Sequence, residues 1–70
     1  MNYLTKLKLK AVHIYCDHHD KSTNYMIQFM QDTCNVTDDC VMNYLQLPNK
    51  EHIKLAKDLD DFTELMLNLE

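Results

Sequence analysis

Apolar residues recur along this chain at helical rather than strand intervals, in four blocks separated by polar breaks. In the first block Leu4, Leu7, Ala11 and Ile14 follow at steps of 3, 4 and 3, with Tyr15 beside them. That spacing predicts a helix over about 3–16 with this stripe as its core face, turning Lys6, Lys10 and His13 largely away from the core. The alternation Leu7-Lys8-Leu9-Lys10 would suit a half-buried strand, but it fails at Ala11-Val12. Residues 16–21, CDHHDK, break the pattern and read as a loop or fraying helix end.

The second and third blocks form a pair. Ser22 or Thr23 is placed to cap a helix over 23–34, because a hydroxyl accepts from the exposed amides of a first turn. Met26, Ile27, Met30 and Cys34 make its apolar stripe, with Phe29 and Thr33 on the flank. Asn35 is a natural stop, since Asn tolerates the left-handed conformation. Thr37 then caps a helix over 38–46, Asp38 and Asp39 suit the positive end of its dipole, and Val41, Tyr44, Leu45 and Met42 supply its buried face. We take residues 22–47 as the stretch around which the chain is organised.

Pro48 interrupts, and a fourth helix is predicted over 49–69 with Glu51 in its first turn. Leu55, Leu59, Phe62, Met66 and Leu69 step by 4, 3, 4 and 3, the seam of a coiled coil. Ile53, Ala56, Leu65 and Leu67 widen the apolar surface beyond that seam, which predicts burial on two sides and a homodimer through it. The fold class is all-α: a single domain over 1–70, a small bundle of about four helices with a tight corner and a long C-terminal helix.

Composition strengthens this. With no Gly and one Pro in 70 residues, the tight turns of a β-rich fold have no material. A chain this short buries only about 60% of its unfolded surface and gains from any added burial. Net charge is −4, unevenly placed: residues 1–21 carry +2, 22–47 carry −3 and 48–70 carry −3. That balance disfavours general nucleic-acid binding. The longest apolar run falls short of a membrane span, the N-terminal lysines do not suit a signal peptide, and three Cys is an odd number, so a soluble, cytoplasmic protein is expected.

Val36, Thr37, Val41 and Tyr44 place a hydrophobe, a capping hydroxyl and two further hydrophobes at the spacing of the second half of a helix-turn-helix, which residues 22–47 resemble. The sequence departs from that family at Gln31, where a small residue is usual, and at Asn35, where Gly is usual. The resemblance implies a DNA-binding regulator, and Asn43 and Gln46 could pair with adenine. Against it, Asp38 and Asp39 stand where a recognition helix meets phosphate, and no Lys or Arg lies between Ser22 and Leu47.

Cys16, His18, His19, Cys34 and Cys40 could supply a tetrahedral zinc site, with His13 a further candidate, although no paired CxxC or HxxxH spacing occurs. Buried free thiols are the alternative reading. No catalytic signature is present and no cofactor is implied. The reading preferred from the sequence is a non-enzymatic protein-interaction module whose acidic helical surface, Asp38, Asp39, Asn43, Asp58 and Asp61, meets a basic protein. Those acids also serve solubility. The chain is similar in style to small phage-encoded accessory and inhibitory proteins, which implies binding a host protein in the host cytoplasm. A helix-turn-helix regulator and a zinc-stabilised module remain the alternatives.

Overall fold

A computed structural model describes the backbone of residues 1–68 and the side chains of residues 1–61. Four helices follow in order: α1, Tyr3–His18; α2, Thr23–Cys34; α3, Asp38–Leu45; and α4, Asn49–Asn68. No strand occurs among the described residues.

Local chemistry sets nearly every boundary. Asn2 opens α1, its side-chain oxygen accepting from the Thr5 amide at 2.8 Å. Ser22 Oγ accepts from the Tyr25 amide at 3.2 Å to open α2, and Thr37 Oγ1 accepts from the Cys40 amide at 3.3 Å to open α3. Each satisfies one of the amides that a first turn leaves without a partner. At the other end of α2, Asn35 lies in the left-handed region at φ 55, ψ 51, and the Val36 amide donates back to the Gln31 carbonyl at 3.3 Å. This is the Schellman closure, which satisfies a carbonyl that the helix would otherwise strand. The Pro48 carbonyl accepts from the amides of Glu51 and His52 to start α4.

The first helix runs two residues beyond the expected end. Nothing in Cys16-Asp17-His18 forbids the helix, and the stop comes instead from Asp20 at φ 55, with the Lys21 amide donating to the Cys16 carbonyl at 2.9 Å. The same left-handed closure is therefore used twice, once on Asn and once on Asp.

The hub is α1, not the 22–47 pair. Among the described residues α2, α3 and α4 all pack on α1, α3 also packs on α2, and α4 makes its backbone approach to α1 alone. Among the described residues, the core is formed by Leu9, Val12 and Cys16 from α1, Met26 and Met30 from α2, Val41 and Tyr44 from α3, and Leu55 from α4. The face of α1 expected to be buried is thus corrected. Leu4 is 59% exposed, Ile14 42% and Tyr15 45%, and Ala11 is exposed, while Lys6, Lys10 and His13 are half-buried. Val12 and Cys16 are short, so they let three helices approach one. The lysines at the edge keep their ammonium groups in water while burying their stems.

At about 1.5 Å per residue, the 20 residues of α4 span about 30 Å, which accounts for most of the molecule's longest dimension of 35 Å. Leu55 is 3% exposed and belongs to the core, whereas Ile53 is 70% exposed. The remainder of the expected dimer seam, Phe62, Met66 and Leu69, lies outside the described side chains.

Candidate functional site

Three surface or interior features carry chemistry. The first is the acidic opening of α3. Asp38 and Asp39 are both exposed, and the Asp38 carboxylate accepts from Gln31 Nε2 at 3.3 Å, which ties this acid to the last turn of α2. Asn43 is exposed, four residues after Asp39 and so on the same side of α3. No described Lys, Arg or His lies within salt-bridge distance of Asp38 or Asp39. The other two acids stand apart from this group on α4. Asp58 is half-buried and accepts a hydrogen bond from the Tyr3 hydroxyl, and Asp61 is exposed. The expected acidic residues therefore form two groups, on helices whose backbones do not pack together among the described residues.

The second feature is a polar cluster where α1, α3 and α4 meet, built from His13, Tyr44 and His52. Tyr44 is fully buried, and its hydroxyl lies 2.8 Å from His13 Nδ1. Burial holds the phenol well above its ordinary range, with Asp17 adding to the rise, so the hydroxyl keeps its proton beside Nδ1. The other ring nitrogen, Nε2, faces Asp17 Oδ2 at 3.7 Å. His52 packs edge-on against both rings, with centroids 5.0 Å from Tyr44 and 6.1 Å from His13, and its Nδ1 is buried without a hydrogen-bond partner. Burial lowers the pKa of His13, opposed by Asp17 and assisted by Lys10 and His52. Burial likewise lowers that of His52, with Lys10 acting the same way and Glu51 and the Tyr44 carbonyl opposing. Beside the cluster, Glu51 Oε2 stands 3.9 Å from Lys6 Nζ, an ion pair too long to be a hydrogen bond.

The third is the outward side of α1. A shallow depression of about 190 Å³ is lined by Leu4, Leu7, Lys8, Ala11 and Leu59, with no polar surface in its lining. A smaller one of about 140 Å³ lies between Tyr3, Lys6, Glu51, Lys54 and Leu55. Further along α1, Tyr15 stacks near His19 at 4.3 Å and Phe29 at 5.7 Å, and Lys21 lies 5.0 Å from the centroid of Tyr25.

The cysteines and histidines considered for zinc are not gathered. Cys16 is buried in the core, His18 and His19 are exposed, and Cys34 and Cys40 are half-buried at the α2–α3 corner. Among the described residues no group of three or more His, Cys, Asp or Glu is placed to hold one metal ion. Burial pushes the Cys16 and Cys34 thiols up, away from the thiolate that a nucleophile or metal ligand requires.

Of these features, the sequence pointed to the exposed acids but not to the cluster. The spacing turns His13 outward, counts Tyr44 only as an apolar residue and gives His52 no role. A tyrosine on the buried stripe of α3 was the available signal, because a buried phenol needs a partner for its hydroxyl. Among the described residues no helix is long and apolar enough to cross a membrane. No protein-family model, curated protein or solved structure matches the chain.

Proposed function

We propose that this chain is a non-enzymatic protein-interaction module of the accessory or inhibitory kind, acting in the cytoplasm, whose α3 corner meets a basic protein. The observation that carries the reading is the pair Asp38 and Asp39. Both are exposed on one short helix, one is anchored by Gln31, and neither is neutralised by a described cation. Two adjacent carboxylates at a fixed position steer a basic surface and set its register, and Asn43 on the same side adds a neutral donor and acceptor. The same pair repels a phosphate backbone, which is why protein is preferred to duplex DNA.

The test is affinity purification from the native host followed by mass spectrometry, comparing the natural chain with Asp38→Asn, Asp39→Asn. Asn keeps the side-chain size and Thr37 remains the cap of α3, so folding is preserved while the charge is lost. A protein with a basic cleft held by the natural chain and lost with the variant supports the reading. The same proteins held by both overturns it. A shift of duplex DNA that persists at physiological salt would move the reading to the helix-turn-helix alternative.

A further inference from the structure

Two imidazoles meet at the junction of α1 and α4, one from each helix, beside a fully buried phenol. His13 and His52 stand edge-on at 6.1 Å between ring centroids, and each packs edge-on against Tyr44. Their surroundings differ in what they offer a proton. His13 Nδ1 lies 2.8 Å from a hydroxyl that can accept as well as donate, and its Nε2 faces Asp17. His52 Nδ1 is buried with no described hydrogen-bond partner. A charged imidazole carries a proton on both nitrogens, so charging His52 leaves a buried donor stranded.

The charged groups around the two rings do not make up for this. On α1, Lys10 disfavours a charge on either ring. Asp17 favours one on His13, but that carboxylate is 75% exposed, where water weakens the attraction. On α3 the Tyr44 carbonyl favours a proton on His52. On α4 Glu51 does the same, but its carboxylate is shared with Lys6 at 3.9 Å. Once both rings are charged, each also repels the other across the contact between α1 and α4.

The element that this repulsion can move is α4. It supplies Leu55 alone to the described core, its backbone approaches α1 alone, and residues 46–48 tether it to α3. Its other described polar ties, Tyr3 to Asp58 and Lys6 to Glu51, lie toward the surface. We propose that His13 and His52 form a proton-operated latch: charging both rings in a mildly acidic medium releases α4 from α1 and α3 while the other three helices stay packed. Release uncovers Tyr44 and Leu55, an apolar surface that the closed chain keeps buried. The latch does not involve Asp38 or Asp39, and its test is independent of the function proposed above.

That test is amide hydrogen exchange of the full chain, read residue by residue by NMR at pH 7.5 and pH 5.5 (about one unit either side of the ordinary imidazole value) and corrected for the intrinsic rate. A ring that takes its proton only on release lowers the protection of the released segment by up to about tenfold across this window, and two rings by up to about a hundredfold. The window lies above the ordinary carboxylate range of about 4 and so isolates the histidines. A fall of about tenfold or more is expected over residues 53–58, with residues 9–16 and 26–34 keeping their protection. His52→Phe keeps a ring against Tyr44 but takes no proton, and it is expected to remove most of the fall. His52→Gln gives the same reading if the first variant loses helicity. His18→Gln, His19→Gln, at exposed positions, is expected to leave the fall unchanged. Equal protection of α4 at the two pH values overturns the proposal. So does a loss shared equally by α1, α2 and α4, which would be unfolding of the whole chain, and so does a fall that survives both His52 variants.

Discussion

The inner and outer faces of α1 are similar in how apolar they are and opposite in how they are covered. Leu9, Val12 and Cys16 are at most 7% exposed, while Leu4 and Ile14, on the other side of the same helix, are 42% exposed or more. The difference lies in what surrounds each face. The inner one meets Met30, Val41 and Tyr44, and it is bordered by His13, whose ring is hydrogen-bonded to the Tyr44 hydroxyl. Periodicity finds stripes, and the helices packed on α1 decide which one turns inward.

The largest contrast follows directly. Leu9→Ala is expected to cost about 2–5 kcal/mol, the range for deleting a fully buried leucine, and Leu4→Ala less than about 0.5 kcal/mol. A domain of this size holds roughly 4–10 kcal/mol in all, so urea unfolding monitored by helicity separates the two variants. Equal losses would erase the distinction between the faces.

What was legible in the sequence was local. The caps Ser22 and Thr37, the left-handed Asn35 and the break at Pro48 each depend on neighbours within a few residues, and they placed four helices within two residues of their described ends. Asp38 and Asp39 were placed correctly at the surface for the same reason, since a first turn exposes its acids. What was not legible depended on distant partners. Leu4-Leu7-Ala11-Ile14 has the spacing of a core seam, but the chain carries a second, Leu9-Val12-Cys16, and the choice between them is made by α2, α3 and α4. The His13–Tyr44 bond joins positions 31 apart, and no spacing rule reaches that far. That α1 rather than the α2–α3 corner is the hub follows from the same packing.

A smaller effect tests the edge of the inner face. Burial lowers the pKa of both His13 and His52 below the ordinary 6.5, so the folded state prefers them neutral. The unfolded chain then binds more protons in the window just below 6.5. Stability is therefore complete above that value and is lost as the pH falls through it toward the folded-state values. The urea midpoint is expected to fall between pH 7.5 and pH 5.5 (about one unit either side of the ordinary imidazole value). His52→Gln, which removes one of the two titrating rings, should reduce that fall. A midpoint that is flat or rises on acidification would show that the cluster is open to water.

The most direct measurement of the two-faced helix is the broadening of side-chain methyl signals by a soluble paramagnetic probe, read by NMR. Strong broadening at Leu4, Ala11 and Ile14 with protection at Leu9 and Val12 is the expected result. Protection of Leu4 and Ile14 with broadening at Leu9 and Val12 would mean that α1 is turned half a revolution from the orientation described.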